Sequence, residues 1–323
     1  MKATYPLGPF DRYAGNPILG PQGTSWEAKD LFNPSAVVKD GRVHLLYRAE
    51  DSTGEGRWHG TSRIGLATSE DGFHFERRTD PILHPTEPYE EPGGCEDPRA
   101  TRVGDTFYMT YTAYDGDTAR LCLATSTDLL NWEKYGVLFP RWTGGGNKVS
   151  SKSGAILGTP VDGTYVMYFG DTNIWAAYSR DLISWTPVEE PVFGPSPDPE
   201  AFDSYLVEPG PQPLMTDEGI LLIYNAARET GGRHHIHPVG LRYSAGQVLL
   251  SKEDPTKVIR RTGTPFFAPE EPGELEGQVD DVVFVEGLVY FHDTYFLYYG
   301  MADSELGVAT FRPAPKSGAA RML

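Results

Sequence analysis

The residues best suited to chemistry form a short charged run at Glu96, Asp97 and Arg99. Two glycines before this run, Gly93 and Gly94, allow the backbone to approach a ligand closely. A second carboxylate beside Asp97, together with partial burial, raises a carboxyl pKa, which a general acid at neutral pH requires. Asp97 is therefore a candidate general acid, although the same residue types also occur in ordinary turns.

Other polar and charged residues lie beside apolar segments, where an unpaired ion is costly. A structural ion pair with Glu50 or Asp51 would equally explain the position of Arg48 at the end of an apolar strand. Carboxylates in loops are usually exposed to solvent, so each acidic candidate taken singly could be an ordinary surface residue. Their common position near apolar strands nevertheless favours one shared site. The candidates chosen on this basis are Asn33, Ser35, Arg48, Arg63, Asn147, Lys148, Lys152, Glu208, Asn225 and Asp303.

Strands must position these residues, because an apolar run that ends in tyrosine recurs five times along the chain. The first four copies follow a turn signal such as Asp40-Gly41. A spacing of about 60 residues accommodates four strands and their loops. The five copies are residues 43–47, 106–111, 165–168, 220–224 and 295–299.

A second strand follows each copy, and after the first three copies it leads into a Ser-x-Asp turn that closes on an aromatic residue. These turns are Ser69–Asp71, Ser126–Asp128 and Ser179–Asp181. Ser and Asp in such turns bond nearby backbone amides, so we predict that these aspartates are structural. The repeats predict an all-β fold, a five-bladed β-propeller that forms a single domain over residues 1–323.

Composition excludes several classes of function. Lys and Arg total 28 against 45 for Asp and Glu, and the net charge of −17 repels nucleic acids and anionic membranes. The absence of an apolar N-terminal segment predicts a cytoplasmic protein. Cys95 and Cys122 are expected to be unpaired, and we interpret the histidine-rich stretch 233–237 as a loop rather than a metal site.

Six motifs, in order along almost the whole chain, resemble glycoside hydrolase family 130: Asn33-Pro34-Ser35, Tyr47-Arg48-Ala49, Arg63-Ile64-Gly65-Leu66-Ala67, Glu96-Asp97-Pro98-Arg99, Lys252-Glu253-Asp254-Pro255 and Tyr299-Gly300-x-Ala302-Asp303. That family consists of five-bladed propellers that act on β-mannosides as inverting phosphorylases or as hydrolases. The resemblance implies that Asp97 is the general acid, acting partly through a substrate hydroxyl. It also implies that the mannosyl unit is bound by Asn33, Ser35, Arg48, Arg63 and Asp303. We assign substrate-binding roles as well to Glu96, Arg99, Lys152, Asn225 and Tyr243.

The sequence departs from the family phosphorylases where they bind phosphate. Those enzymes carry an arginine before the asparagine that matches Asn147, a basic residue near the end of the third core strand and a histidine after the fourth. This chain has Gly146, residues 168–171 and Asn225 at those places. A phosphate dianion needs charge-assisted donors, whereas Glu208 would repel it and could activate water. We therefore predict inverting hydrolysis of β-manno-oligosaccharides with Glu208 as general base and no cofactor. The alternative is a phosphorylase that uses inorganic phosphate and releases mannose 1-phosphate.

Two further interpretations remain open on sequence grounds. The chain could be another five-bladed glycosidase, such as an arabinan or fructan hydrolase, with Asp30 as a third carboxylate, or a propeller that binds glycans without cleaving them. The linkage, the leaving-side sugar and the oligomeric state do not follow from the sequence.

Overall fold

The structure is a computed structural model that describes residues 3–53, 60–144, 150–231 and 240–314. The predicted all-β class is confirmed, because helix in these ranges is limited to a 3₁₀ turn at Pro88–Glu90 and one short helix, α1, at Pro272–Leu275. Within the same ranges, no helix has the length and apolar character needed to cross a membrane.

The strands are β1 Asp11–Arg12, β2 Asp30–Lys39, β3 Arg42–Glu50, β4 Ser62–Ser69, β5 Glu76–Arg77, β6 Gly94–Val103, β7 Thr106–Tyr114, β8 Ala119–Ser126, β9 Glu133–Val137, β10 Ala155–Ile156, β11 Tyr165–Phe169, β12 Trp175–Ser179, β13 Thr186–Pro187, β14 Leu206–Pro209, β15 Leu214–Met215, β16 Ile220–Glu229, β17 Leu241–Leu250, β18 Val258–Arg261, β19 Val283–Phe291, β20 Thr294–Met301 and β21 Glu305–Phe311.

The strands form five antiparallel units; in the first four the strands follow one another in sequence order, and in the fifth the N-terminal strand β1 takes the outer place. The units are β2-β3-β4-β5, β6-β7-β8-β9, β10-β11-β12-β13, β14-β16-β17-β18 and β19-β20-β21-β1, and β15 adds to the edge of β16. The first two units share a sheet through one parallel contact between Ser62 and Gly94. The last unit is completed by the N-terminal strand, since Asp11 pairs with Thr310. All five predicted tyrosine runs lie in the second strand of a unit.

The recurring tyrosines are core residues. Six tyrosine side chains are fully buried, and burying an aromatic ring of this size is worth roughly 1.5–3 kcal/mol. A buried hydroxyl also needs a partner, and these donate to Glu27, Glu90, the Pro255 carbonyl, Asp203, the Gly72 carbonyl and Glu274. The tyrosines therefore pack the sheets and bind adjoining loops to them. They are Tyr47, Tyr111, Tyr168, Tyr224, Tyr298 and Tyr299.

Hydrogen bonds join each unit to the next in sequence and the fifth to the first. The donor and acceptor pairs are Ala100 N to Ser35 Oγ at 2.9 Å, Thr101 Oγ1 to the Ile156 carbonyl at 3.0 Å, Val207 N to the Thr172 carbonyl at 3.2 Å, Asn225 Nδ2 to the Val285 carbonyl at 3.0 Å, and Leu31 N to the Ser304 carbonyl at 3.1 Å. The first strands of the units thereby come together, and polar side chains on those strands can meet.

The Ser-x-Asp turns have the predicted structural role. Ser69 Oγ donates to Asp71 Oδ1 at 2.9 Å, and the same carboxylate oxygen accepts the amides of Phe73 and His74. The turns that begin at Ser126 and Ser179 repeat this pattern. Donors directed at a carboxylate stabilise its charged form, and they lower the pKa of Asp181 to about 2.

Candidate active site

A polar cleft lies where the first strands of the units approach one another. Of the predicted site residues, twelve lie in the part of the chain that the structure describes, and eight of these line the cleft: Asn33, Arg48, Glu96, Asp97, Lys152, Glu208, Tyr243 and Asp303. The rest of the wall consists of residues that the sequence reasoning did not select: Phe32, Gln278, Val279, Val282 and Phe284. The cleft thus combines charged groups with an apolar side, as small-molecule sites do.

Breaks in strand pairing place Asn33 and Asp97 in the cleft. Pairing of β2 with β3 shifts register between Phe32 and Ser35, and pairing of β6 with β7 shifts between Glu96 and Arg99. Asn33 has φ of 53° and Asp97 has φ of 49°, a left-handed conformation that Asn and Asp tolerate better than most residues. Such a bulge leaves a residue out of the ladder and redirects its side chain.

The glycines before Asp97 serve packing rather than ligand approach. Gly94 has φ of 114°, and a Cβ there would lie 2.2 Å from the carbonyl oxygen of Ser62. A Cβ on Gly93 would lie 2.3 Å from the ring of Tyr114. Only glycine therefore allows β6 to approach β4 at the parallel contact between the first two units.

Asp97 is a buried carboxylate, 4% exposed, that is held by two donors. Asn33 Nδ2 donates to Asp97 Oδ1 at 2.7 Å, and Arg48 Nη1 donates to the same oxygen at 3.0 Å. The described residues place no hydrogen-bond donor on Oδ2, so that oxygen is available to a substrate. The predicted roles of Asn33 and Arg48 in a sugar site are compatible with this contact, because both also line the cleft.

The prediction that the Asp97 pKa is raised was wrong. Burial alone would raise it, but the charges of Arg48, Lys152 and Arg99 outweigh burial and lower the pKa of Asp97 to about 2. The adjacent Glu96 behaves in the opposite way, since burial raises its pKa to about 7 although Arg48 opposes this. Because the two carboxyls share Arg48, they titrate as a pair, with the proton held mainly on Glu96.

Arg48 links the carboxylates of the cleft. Its guanidinium contacts Glu96 at 2.9 Å, Asp97 at 3.0 Å and Glu50 at 3.2 Å, and its Nε donates to Ser62. The alternative explanation of Arg48 as an ion-pair partner of Glu50 is therefore correct, and it coexists with a place in the cleft. Arg48 therefore divides its charge among three carboxylates, and Lys29 supplies a second cation to Glu50 at 2.7 Å.

Asp303 provides a second carboxyl with a raised pKa. It lies in the turn between β20 and β21 with φ of 49° and lines the same cleft as Asp97. Burial raises the pKa of Asp303 to about 7, with Arg48 opposing and Asp97 contributing to the rise. At neutral pH this carboxyl can therefore donate or accept a hydrogen bond to a sugar hydroxyl.

Glu208 lies on β14 and is 3% exposed. Ser153 donates a hydrogen bond to Glu208 Oε1, Lys152 Nζ lies 3.4 Å from that oxygen, and Arg99 Nη2 lies 3.9 Å from it. Burial raises the pKa of Glu208, whereas the two cations and Ser153 lower it. A raised pKa makes the carboxylate a stronger base, and the cations help to keep it ionised.

Four predicted site residues do not line the cleft. Ser35 accepts the Ala100 amide, and Asn225 bonds both backbone groups of Val285, so each joins neighbouring units. Arg99 is buried beneath the cleft, where it donates to the carbonyls of Pro209 and Gly210. We correct the assignments of these three residues from substrate contact to support of the site.

Arg63, the fourth of these residues, lies in a separate groove. Its Nη1 contacts Asp51 Oδ2 at 2.6 Å, and both residues line a surface depression with Trp26. Asp30, the third carboxylate expected of an arabinan or fructan hydrolase, is likewise absent from the cleft wall. The predicted contact between Arg63 and the mannosyl unit therefore has no support in the position of this side chain.

Sequence reasoning missed Glu286. This residue lies at a register shift in β19, is fully buried, and has a carboxylate oxygen 2.8 Å from Arg99 Nη2. Its signal in the sequence is one acidic residue, followed by glycine, inside an otherwise apolar strand. A single charge in a buried strand requires a partner, so this pattern could have identified it.

No group of three or more His, Cys, Asp or Glu among the described residues could hold a metal ion. The histidine-rich stretch 233–237 and the candidates Asn147 and Lys148, together with the phosphorylase position at Gly146, lie outside those residues. Cys95 and Cys122 are both buried and free, as expected.

Comparison with known proteins finds relatives that match almost the whole chain. A family model described as β-1,4-mannooligosaccharide phosphorylase, of glycoside hydrolase family 130, matches residues 16–313. The 1,2-β-oligomannan phosphorylase of Thermoanaerobacter sp. (strain X514) is 35% identical over 92% of this chain and 95% of its own length. The solved structure of a glycosyl hydrolase from Bacteroides ovatus is 37% identical with a TM-score of 0.87, covering 98% of each chain.

A further solved structure was reported with the statement that the family of mannoside phosphorylases contains glycoside hydrolases that target β-1,2 mannosidic linkages in Candida mannan. It is 37% identical to this chain with a TM-score of 0.87, and the match covers 99% of both chains. Relatives of both reaction types therefore resemble this chain over nearly its full length. The chain belongs to glycoside hydrolase family 130.

Proposed function

We propose that the five units are the blades of one five-bladed β-propeller that forms a single domain. The shared strand order of the units and the hydrogen bonds from each unit to the next, and from the fifth to the first, support this arrangement. Pairing of β1 with β21 is consistent with closure of the ring by both ends of the chain. A cytoplasmic location stays a prediction from the sequence.

We infer that the protein is an inverting enzyme that cleaves β-mannosides of small oligosaccharides, with water as the proposed acceptor. The observation that carries this proposal is the presence of two buried carboxylates, Asp97 and Glu208, on one cleft. Inverting cleavage needs an acid for the leaving oxygen and a base for the attacking water. Asp97 is the proposed acid, which takes up the proton that it shares with Glu96 and delivers it to the leaving oxygen, and Glu208 is the proposed base, which takes a proton from the attacking water.

The charges around the cleft favour water over phosphate. A phosphate dianion needs cations that are free to bind it. Among the described residues, the cations on the cleft wall already have carboxylate partners, since Arg48 contacts three and Lys152 contacts Glu208. Glu208 also adds negative charge where phosphate would have to approach the sugar.

Phosphorolysis is the second candidate, and the names of the curated relatives favour it over hydrolysis. Three of them are phosphorylases of β-1,2-linked oligomannan or mannobiose, and another is a phosphorylase of β-1,4-mannooligosaccharides. In that reaction inorganic phosphate would replace water, and Glu208 would have no role as a base. The two candidates share the sugar site and Asp97.

Incubation of the enzyme with β-1,2- and β-1,4-mannobiose, each with and without inorganic phosphate, separates the candidates. We expect free mannose without phosphate, formed first as the α-anomer in an NMR time course. Glu208→Gln should lower this rate by about 10²–10⁴-fold, as for loss of a general base. Glu90→Gln is the matched control, because Glu90 is equally buried but pairs with Lys134 away from the cleft.

Mannose 1-phosphate formed only with phosphate would instead establish phosphorolysis, whereas full hydrolytic activity in Glu208→Gln would remove Glu208 as the general base. Absence of turnover on any mannoside, with retained binding of mannobiose, would favour a propeller that only binds glycans.

A further inference from the structure

Glu208 is held through one of its two carboxylate oxygens. Ser153 donates a hydrogen bond to Glu208 Oε1, and Lys152 Nζ lies 3.4 Å from the same oxygen. Among the described residues, no hydrogen bond reaches Oε2, and Glu208 lines the cleft. Two consecutive residues thus fix one oxygen of the base and leave the other for a molecule in the cleft.

The segment that carries Lys152 and Ser153 is anchored on both sides. The Ser151 amide donates to the Ala119 carbonyl at 3.1 Å, and the Ser151 hydroxyl accepts the Leu121 amide at 3.1 Å. The Gly170 amide donates to the Lys152 carbonyl at 2.9 Å. Bonds to β8 of the second unit and to the end of β11 in the third unit therefore hold this segment beside Glu208.

Ser153 adopts a backbone conformation that serine rarely takes. Its φ is 61°, in the left-handed region, and the residue is 1% exposed. Glycine would occupy this position without strain, but it would lack the hydroxyl that contacts Glu208. Strained residues cluster at functional sites, where their surroundings over-determine them. The strain at Ser153 therefore points to a use for its hydroxyl.

We propose that Ser153 and Lys152 are positioning residues for Glu208. By holding Oε1 they direct Oε2 towards the attacking water, and they keep the carboxylate ionised so that it can accept a proton. This inference rests on the proposed role of Glu208 as general base. It gives Lys152 a role beyond the substrate contact expected from the sequence, and it adds Ser153, which sequence reasoning did not select.

The groups around Glu208 determine the direction of the expected effect. Burial raises the pKa of Glu208, whereas its two cations and the Ser153 hydrogen bond lower it. Burial also raises the pKa of Tyr243 and of Glu286, which favours their uncharged forms. Loss of Ser153 or Lys152 therefore raises the pKa of Glu208, and the base becomes protonated at higher pH. The charged and titratable groups that face Glu208 are Lys152, Arg99, Asp171, Tyr243 and Glu286.

Ser153→Gly removes the hydroxyl and also relieves the strained backbone. Because these two effects on stability oppose each other, the midpoint of thermal unfolding should stay close to that of the wild type. The readout is the pH dependence of kcat/KM for mannobiose hydrolysis without phosphate. We expect the acidic limb to move about one pH unit higher, as for a carboxylate that loses one donor. Ser126→Ala, which loses a hydroxyl that donates to Asp128 outside the cleft wall, should keep the wild-type limb.

Lys152→Met removes a cation but keeps an unbranched side chain. The acidic limb should move at least about one pH unit higher, because a nearby opposite charge lowers a carboxyl pKa by about that much or more. The alkaline limb should also rise, since Lys152 lowers the pKa of the proposed acid, Asp97. Lys134→Met is the matched control, because Lys134 pairs with the buried Glu90 at 2.7 Å away from the cleft, and its acidic limb should coincide with that of the wild type.

Circular dichroism and thermal melting establish that each variant is folded. If Lys152→Met does not fold, Lys152→Gln takes its place, with a shift expected in the same direction. An acidic limb that stays at its wild-type position in Ser153→Gly overturns the proposal for Ser153, and a rise in KM alone in the Lys152 variant overturns it for Lys152. If the wild type does not hydrolyse mannobiose, or Glu208→Gln keeps full activity, the proposed function fails instead, and the two failures are thereby distinguished.

Discussion

Replacement of Asp97 by asparagine removes the proposed acid while preserving its contacts. The amide oxygen can still accept from Asn33 Nδ2 and Arg48 Nη1, which lie 2.7 and 3.0 Å from Asp97 Oδ1. The lost charge weakens the bond to Arg48, but it also relieves repulsion between Asp97 and Glu96. Because these effects oppose each other, we expect the free energy of unfolding to change by no more than about 1 kcal/mol.

The effect of Asp97→Asn on the reaction should be far larger. Loss of a general acid lowers kcat by about 10²–10⁴-fold, which corresponds to about 3–5 kcal/mol of transition-state stabilisation. The cost should depend on the leaving group, because a weakly basic phenolate departs without protonation. We therefore expect a much smaller loss on p-nitrophenyl β-mannoside than on mannobiose.

Steady-state kinetics on both substrates, with urea unfolding as the control for stability, provide the measurement. Equal losses on the two substrates would show that Asp97 does not protonate the leaving oxygen, directly or through a sugar hydroxyl. Unchanged activity on mannobiose would remove Asp97 from the mechanism altogether.

Two further predictions concern the cation of the cleft and the turns between strands. Arg48→Lys keeps the charge, but a point-like ammonium cannot contact Glu50, Glu96 and Asp97 together. We therefore expect kcat/KM to fall at least about tenfold and the free energy of unfolding to fall by about 2 kcal/mol. Wild-type kinetics in this variant would contradict the proposed linking role. Ser126→Ala removes the hydroxyl that accepts a hydrogen bond from the Leu129 amide at 2.9 Å. The free energy of unfolding measured in urea should fall by about 1 kcal/mol, and the activity per folded molecule should not change. A loss of activity without a loss of stability would contradict a purely structural role for this turn.

The features of the fold that could be predicted from sequence are local ones. The tyrosine runs alternate with turn residues, and the Ser-x-Asp turns complete their hydrogen bonds within a few residues of Ser69, Ser126 or Ser179. A short segment therefore contains all the information that its conformation requires. Pairing between units depends instead on distant residues, and the roles of Ser35 and Asn225 become visible only when the neighbouring unit is present.

The errors in the predicted site have the same origin. Glu96 is the chain neighbour of Asp97, so the sequence suggests repulsion and a raised pKa. The stronger influence is Arg48, which is remote in sequence but lies 3.0 Å from Asp97. Glu286 was missed because it follows an apolar run that is typical of a core strand, and only the fold brings Arg99 to it.

The pairing of β1 with β21 has a consequence for how the protein is made. Asp11 leaves the ribosome early, whereas its partner Thr310 is synthesised about 300 residues later. Closing a loop of this length is entropically costly, and β1 has no partner strand until translation is almost complete. During that interval β1 is unpaired, and chaperone binding or pairing between nascent chains would act on this strand.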